Sequence, residues 1–232
     1  MSNTYFYEVI RIQTLVGEVS QIFLEPGSHL ALSYEAGQYV NVLHRDQSAS
    51  PLSIACAPFS SRVLEFHLFH PPENHQARDL LQMGKKEKSW RLTGPFGDCT
   101  VGRLHPRKPL FFIARGTGFA SVKAVIEALS QAQRRPPMHL YWSMPLRSEF
   151  YLENLLEQWA EEIDGFGCTL ISRDHRAGKA DSLCETLIHD WGDLSDCQIY
   201  ASGSPSFVNA AFSILRDYGL QRSFFYSDVV SG

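Results

Sequence analysis

Short apolar segments alternate with turn-forming residues over the first hundred positions of the chain. These segments are rich in β-branched and aromatic residues, a composition typical of strands. The pattern predicts strands over residues 5–13, 18–24, 38–44, 52–57, 63–69, 89–92 and 99–101. One helical pattern, over residues 75–83, is expected to end at Gly84, and the charged run after it predicts a solvated hairpin. So many short strands with so little helix indicate a small antiparallel β-barrel.

The pattern changes after Pro106. Residues 110–114 are apolar at every position, as expected for a strand buried on both faces of a parallel sheet. Predicted helices at 120–132, 149–162, 181–190 and 205–218 then alternate with strands at 138–143, 168–172, 198–201 and 223–228. This alternation predicts an α/β parallel-sheet domain with right-handed crossovers. We therefore predict two domains, an N-terminal antiparallel β-barrel over 1–104 and a C-terminal α/β domain over 105–232.

Net charge, apolar runs and cysteine spacing argue against several kinds of partner, location and metal site. A formal net charge of -4 argues against attraction of the whole chain to nucleic acid or to an anionic membrane. No apolar run approaches the roughly 20 residues that span a bilayer, and the N-terminus lacks the pattern of a secretory signal. The five cysteines include no CxxC pair, so they predict neither a disulfide framework nor a metal site. We expect a cytoplasmic protein without a bound metal.

Two glycine-containing turns carry the first functional signal. Arg115-Gly116-Thr117-Gly118-Phe119 joins the apolar strand to the next helix, and Ser202-Gly203-Ser204-Pro205 joins a later strand to the last helix. Glycine lets a ligand approach the backbone, and a helix start offers free N–H groups to a pyrophosphate. The first turn departs from the full dinucleotide fingerprint, since Ser121 replaces its third glycine. Two such turns at strand ends nevertheless predict a dinucleotide site along the sheet edge.

Taken in order, the motifs resemble those of the ferredoxin–NADP reductase superfamily, and the length is most similar to its stand-alone NAD(P)H-flavin reductases. The matching segments are Gly37-Gln38-Tyr39-Val40, Ser50-Pro51-Leu52-Ser53-Ile54-Ala55, Gly94-Pro95-Phe96-Gly97, Arg115-Gly116-Thr117-Gly118-Phe119, Tyr141-Trp142 with Arg147, Ser202-Gly203-Ser204-Pro205 and Phe225-Tyr226-Ser227-Asp228. The resemblance implies a flavin-binding barrel, an NAD(P)-binding α/β domain and an oxidoreductase that transfers a hydride from NAD(P)H to a flavin.

On the flavin side, the resemblance places the isoalloxazine ring against residues 50–55. Ser53 stands where the family serine approaches flavin N5, and the backbone of Ser53, Ile54 and Ala55 is expected to bond the polar edge of the ring. Pro51 lies between the two departures from the motif: Ser50 replaces an arginine and Leu52 replaces an aromatic residue. These losses amount to about 1.5–3 and about 0.5–1.5 kcal/mol, or roughly one and a half to three decades in affinity.

FAD, FMN or riboflavin is therefore expected to bind weakly, as a diffusing substrate or a loosely held cofactor. A site that no longer binds flavin is the alternative. Arg45, on the loop before this strand, could restore a positive charge or could be a solvated loop residue. Phe225 and Tyr226 could cover the flavin, or they could be core residues of the last strand.

On the nucleotide side, the resemblance places Arg115, Phe119 and the Gly116–Gly118 backbone beside the pyrophosphate, with Thr117 near the nicotinamide. Ser202 occupies a position where the superfamily often has a cysteine, next to Gly203, Ser204 and Pro205. Hydride transfer needs no side-chain nucleophile and depends on the alignment of the two rings. Ser53 and Thr117, which the resemblance places beside the flavin and the nicotinamide, are therefore the candidate catalytic residues. Arg147, and Ser172 with Arg173, follow strand ends near the adenosine ribose and favour NADPH over NADH.

Three functions follow from this pattern. The first is an NAD(P)H-dependent flavin reductase, alone or as the partner of an oxygenase. The second is a non-catalytic NAD(P)-binding relative whose flavin site has decayed. The third is a reductase that holds FAD and passes electrons to an acceptor protein.

Overall fold

The computed structural model describes residues 3–58, 62–172 and 181–227. In this part of the chain an antiparallel sheet has the order β4-β3-β6-β1-β2-β5. Its strands are β1 (Thr4–Val16), β2 (Val19–Pro26), β3 (Tyr39–Leu43), β4 (Ala49–Ser53), β5 (Leu64–Phe69) and β6 (Ser89–Phe96). Just beyond β4, the N–H of Ala55 donates to the carbonyl of Glu65 in β5 at 2.7 Å, which brings the two edges together. The predicted antiparallel barrel is confirmed.

A helix closes one end of this barrel. α1 (His75–Glu87) buries Leu80 and Gly84 towards the barrel interior, and the side chain of Asn74 caps it by accepting the N–H of Ala77 at 3.0 Å. The predicted end at Gly84 is wrong, since the helix continues to Glu87. A Cβ at Gly84 would lie 3.2 Å from Cδ1 of Ile12, so this glycine permits close packing and does not end the helix. The charged run is accordingly a helical turn and not a hairpin.

Two other predicted strands differ from the structure. Residues 99–101 form no strand, and a single 3₁₀ turn covers Val101–Arg103. The strand predicted at 52–57 lies earlier, because β4 pairs with β3 from Ala49 to Ser53. Ala55 and Ala57 are buried where the barrel meets the second half of the chain, and Ile54 is buried in the core of the barrel.

The second half forms a parallel sheet with the order β11-β10-β7-β8-β9. Its strands are β7 (Leu110–Arg115), β8 (Met138–Met144), β9 (Phe166–Ser172), β10 (Gln198–Ser202) and β11 (Phe225–Ser227). The helices are α2 (Phe119–Ser130), α3 (Glu153–Glu162), α4 (Asp181–Trp191) and α5 (Pro205–Leu215). The chain runs outward from β7 through β8 to β9 and then returns to β10 on the other side of β7. The α/β prediction is confirmed, and a topological switch point lies between β7 and β10.

Each face of this sheet has its own core. Phe112 and Ala114 of β7 pack with α2 and α3, whereas Phe111 and Ile113 pack with α4 and α5. This alternation explains why β7 reads as a continuous apolar run, since both faces of the strand are covered.

A buried ionic network joins the barrel to the α/β half. Lys123 of α2 donates from Nζ to Glu65 Oε2 at 2.8 Å, to Glu127 Oε1 at 2.6 Å and to the carbonyl of Ala55 at 2.9 Å. Glu65 Oε1 also accepts from Gln21 Nε2 at 2.6 Å and lies 2.8 Å from His67 Nε2. Lys123 is only 5% exposed, so its charge depends on these partners.

The network sets the charge of its members. Burial acts to raise the pKa of Glu65, but the hydrogen bond with His67 and the charge of Lys123 outweigh it and lower that pKa to about 2. Burial acts to lower the pKa of Lys123, but the two carboxylates raise it above its ordinary value. The arrangement is therefore a fully charged Lys–Glu cluster inside the protein.

Replacing Lys123 with Met leaves two carboxylates in a buried site without their cation. We expect Lys123→Met to lower the free energy of unfolding by about 3–5 kcal/mol, measured by urea denaturation. The matched control is Arg103→Met, since Arg103 pairs at 3.2 Å with Asp98 and the two side chains are 61% and 84% exposed. That exposed pair is expected to contribute at most about 1 kcal/mol. Equal losses in the two variants would contradict a structural role for the network.

The lowered pKa of Glu65 predicts that the free energy of unfolding depends on pH in the acid range. Its pKa falls from 4.5 to about 2 on folding, so the unfolded chain takes up the proton first as the pH drops. The stabilisation is complete above about pH 4.5 and is lost as the pH falls towards 2. In unfolding measurements over this window, Glu65→Gln should lose less stability than the parent chain. Glu25→Gln, at an exposed position of β2, should keep the parental slope. A parental slope in Glu65→Gln would contradict the assignment.

Candidate functional site

A cavity of about 220 Å³ lies where the barrel meets the carboxyl ends of β7 and β10; we call it the central cavity. Its walls come from β4, β5 and the two glycine turns, and include Leu52, Ser53, Thr117, Gly118, Ser202 and Gly203. Segments up to 150 positions apart in the sequence thus meet at one place. The structure brings the Ser53 and Thr117 side chains to the same cavity, at the topological switch point of the sheet.

The two glycine turns touch each other through their backbones. A Cβ on Gly118 would lie 2.4 Å from the carbonyl oxygen of Ser202, so a larger residue cannot fit there without movement. The indole of Trp142 donates to the carbonyl of Gly116 at 3.0 Å and stacks on the Phe119 ring, with 4.2 Å between ring centroids. The start of α2 is therefore held firmly against the end of β10.

The second turn is stabilised by its own cap. The Ser204 hydroxyl accepts the N–H of Phe207 at 3.3 Å, and Pro205 occupies the first turn of α5. The helix start that the sequence predicted here is present, with Gly203 and Ser204 on the wall of the central cavity.

A second cavity, of about 350 Å³, extends from the central cavity along the barrel; we call it the barrel-side cavity. It is lined by Ser50, Pro51 and Leu52 of β4 and by the start of α1, and it shares His67 and Thr117 with the central cavity. Among the described residues its lining contains no arginine or lysine. The cation that the family motif carries at position 50 therefore has no replacement in this wall.

Ser50 and the nearby Arg45 each have a partner outside the lining of this cavity. The Ser50 hydroxyl lies 2.8 Å from Nε2 of His44, a neighbour within the barrel. Arg45 forms an ion pair with Glu87 at the end of α1, and its side chain is 73% exposed. Of the two interpretations of Arg45, the structure supports the solvated loop residue.

Ile54 and Ala55 do not reach either cavity wall. Their N–H groups donate to the carbonyls of Gln38 and Glu65 at 3.1 and 2.7 Å, and the Ala55 carbonyl accepts from Lys123. The expectation that this backbone bonds a flavin edge is wrong for these groups, because they already close the barrel and anchor α2. Ser53 is the last residue of the segment to line the cavity.

The two aromatic residues of β11 lie away from both cavities. Phe225 is 6% exposed and packs on Phe212 of α5, with 5.0 Å between ring centroids. Tyr226 is half-buried and packs against the core cluster that contains Tyr200. The core interpretation therefore holds for Phe225, and neither ring covers a cavity.

The residues expected near the adenosine ribose are only partly described. Arg147 donates from Nη2 to Glu153 Oε2 at 2.5 Å, and its guanidinium lies 5.3 Å from the centroid of the Phe150 ring. Ser172 is the last residue of β9. Arg173 and Asp228 lie outside the described residues.

His67 lines both cavities and was not predicted as a site residue from the sequence. Its imidazole is fully buried at the junction of the two cavities, with Nε2 bonded to Glu65 and Nδ1 3.3 Å from the Tyr151 hydroxyl. Burial lowers the pKa of His67, which keeps the ring neutral. The signal in the sequence was the pair Glu65 and His67, two polar residues that alternate with apolar ones in β5.

A third cavity, of about 380 Å³, lies on the opposite side of the first glycine turn; we call it the sheet-edge cavity. The β1–β2 hairpin forms one wall and the carboxyl ends of β7 and β8 form the other. It shares Arg115 and Thr117 with the central cavity, so the two cavities flank the same turn.

The residues of the central cavity can orient bound ligands by hydrogen bonds. Its described lining contains the hydroxyls of Ser53, Thr117 and Ser202 but no cysteine and no carboxylate. No group of three His, Cys, Asp or Glu side chains suited to a metal occurs among the described residues. Such a site suits two ligands held face to face for direct hydride transfer. The same part of the chain contains no helix long and apolar enough to cross a bilayer.

Comparison with known proteins agrees with this geometry. Residues 112–212 match the family model of the oxidoreductase NAD-binding domain. The CDP-6-deoxy-L-threo-D-glycero-4-hexulose-3-dehydrase reductase of Yersinia pestis is 28% identical over 97% of this chain and 68% of its own length. The NAD(P)H-flavin reductase of Vibrio harveyi is 26% identical over 88% of each chain. The reductase component 1 of terephthalate 1,2-dioxygenase from Comamonas is 27% identical over 84% of this chain and 59% of its own length.

Solved structures show the same fold. The Amycolatopsis cytochrome P450 reductase GcoB superposes with a TM-score of 0.83 at 20% identity, over 97% of this chain and 69% of that protein. A ferredoxin–NADP⁺ reductase variant from Plasmodium falciparum superposes with a TM-score of 0.80 at 15% identity, over 98% and 96%. Residues 112–212 are therefore similar to an oxidoreductase NAD-binding domain, and the chain shares the two-domain fold of these two reductase structures.

Proposed function

We propose that this protein is an NAD(P)H-dependent flavin reductase. The observation that carries the proposal is the meeting of Ser53, from the barrel, with Thr117 and Gly118, from the sheet edge, in one cavity. The Vibrio harveyi relative, which matches over most of both chains, is an NAD(P)H-flavin reductase. Residues 1–104 would bind the flavin and residues 105–232 the nicotinamide nucleotide.

The proposed reaction is a direct transfer. A hydride, with its two electrons, passes from C4 of the dihydronicotinamide to N5 of FAD, FMN or riboflavin, giving NAD(P)⁺ and the reduced flavin. Ser53 places a hydroxyl beside N5, and Thr117 orients the nicotinamide. The N–H groups at the start of α2, flanked by Arg115 and Phe119, hold the pyrophosphate, and the turn from Ser202 to Pro205 closes the nicotinamide side.

The barrel-side cavity supports the view that flavin is a substrate. Positions 50 and 52 of its wall carry serine and leucine in place of the arginine and the aromatic residue of the family motif, and the Ser50 hydroxyl is already bonded to His44. A weakly held flavin can leave after reduction and carry its electrons elsewhere.

A second candidate is a reductase that passes electrons to a partner protein, such as an oxygenase. It is favoured by the reductase component of the Comamonas dioxygenase, of which this chain spans 59%. A non-catalytic NAD(P)-binding protein remains the third candidate. The cytoplasmic location expected from the cysteine pattern stays a prediction.

Turnover separates these candidates. The purified protein should oxidise NAD(P)H, measured at 340 nm, when FMN, FAD or riboflavin is added. Ser53→Ala should lower kcat by roughly two- to tenfold, the effect of one lost hydrogen bond. Ser213→Ala, at an exposed position of α5, serves as the control. Absence of turnover with every flavin and every dye acceptor would exclude the proposed reaction.

Flavin affinity tests the location of the ring. Ser50→Arg combined with Leu52→Tyr should tighten flavin binding by roughly 30- to 1000-fold, because it restores a charge-assisted contact and a stacking partner. Fluorescence titration with FMN and FAD measures the change. Ala49→Arg adds the same charge at an exposed neighbouring position of β4 and should leave the affinity unchanged. An unaltered Kd in the double variant would show that the flavin binds elsewhere.

A further inference from the structure

The sheet-edge cavity has a composition that bears on nucleotide choice. Val19 and Phe69 from the barrel, with Met144 and Pro145 after β8, give it largely apolar walls. Three charged side chains also line it: Glu18 in the β1–β2 hairpin, Glu149 after β8, and Arg115 at the end of β7. Two of the three charges are therefore negative.

The position of this cavity fits the adenosine half of a dinucleotide. The nicotinamide must enter the central cavity, on the β10 side of the first glycine turn, to approach Ser53. With the pyrophosphate over the turn itself, as the proposed function requires, the other half of the molecule would leave on the β8 side. That side opens into the sheet-edge cavity, which shares Arg115 and Thr117 with the central one.

The Glu149 side chain is held at the wall of this cavity by a hydrogen bond from the backbone three residues earlier. It ends the 3₁₀ turn Arg147–Glu149, and its Oε2 accepts the N–H of Leu146 at 3.0 Å. A carboxylate can accept several hydrogen bonds, so it retains capacity for the two hydroxyls of a ribose. A 2′-phosphate at the same place would instead meet a like charge, with Glu18 adding a second.

Among the described residues, Arg115 is the one positively charged residue of this lining. Arg147 is not part of the cavity lining, and its guanidinium is engaged by Glu153 and lies over Phe150. Arg115 has its guanidinium 5.8 Å from the centroid of the Phe207 ring, on the α5 side of the turn.

We infer that Glu149, assisted by Glu18, selects NADH over NADPH by accepting the ribose 2′-hydroxyl and repelling a 2′-phosphate. This inference rests on the proposed function and specifies the electron donor for the same site. It reverses the preference for NADPH that Arg147 and Arg173 suggest from the sequence.

Binding of the oxidised nucleotides tests the inference without any flavin. Isothermal titration of the full chain with NAD⁺ and with NADP⁺ should show at least about a tenfold preference for NAD⁺. Glu149→Gln keeps an oxygen for the Leu146 N–H and should reduce this preference about tenfold by removing the repulsion. Glu18→Gln should reduce it by a smaller factor.

Glu153→Gln is the matched control. It removes the partner of Arg147 but changes no residue of the cavity, so the preference should stay as in the parent chain. A shift in Glu153→Gln with none in Glu149→Gln would make Arg147 the determinant and overturn the inference. Equal affinity for both nucleotides in the parent chain would also overturn it, while leaving the proposed function intact. Binding of neither nucleotide would refute both.

Discussion

The geometry of the site depends on the ion cluster around Lys123. α2 begins directly after the first glycine turn, and one helical turn later it places Lys123 against Glu65 and the Ala55 carbonyl of the barrel. A buried ammonium group cannot leave its carboxylates without a large loss of free energy. The same helix that would carry the pyrophosphate is thereby fixed relative to β4, the strand that carries Ser53.

His67 connects this cluster to the cavities. Both of its nitrogens are engaged inside the protein, with Glu65 and with Tyr151, and its ring lies at the junction of the central and barrel-side cavities. A neutral, doubly bonded imidazole is a rigid wall and not a proton donor to a ligand. The cluster thus shapes the site without supplying a reacting group, in keeping with a reaction that needs alignment above all.

The division of the site into three cavities gives each ligand group a different environment. The barrel-side cavity lacks a cation where resembling proteins have one, so it suits a ligand that is released. The turn at Gly118 contacts Ser202 so closely that only glycine fits without movement, which fixes the two glycine turns against each other. The sheet-edge cavity has largely apolar walls with two carboxylates and Arg115, and we infer that it takes the adenosine half of the nucleotide.

The sequence by itself determined the features that depend on local order. The apolar run of β7, the alternation after Pro106 and the two glycine turns each follow from periodicity or from residue conformation within a few positions. The tertiary structure alone decided the rest. Lys123 reads as one polar residue in an apolar helix until Glu65, 58 positions earlier, comes within 2.8 Å of it. Gly84 reads as a helix end until Ile12 packs beside it, and Glu149 becomes part of the sheet-edge cavity only when the β1–β2 hairpin provides the facing wall. The reason is that a buried charge or a cavity is a property of several distant segments together, and no single stretch of sequence contains it.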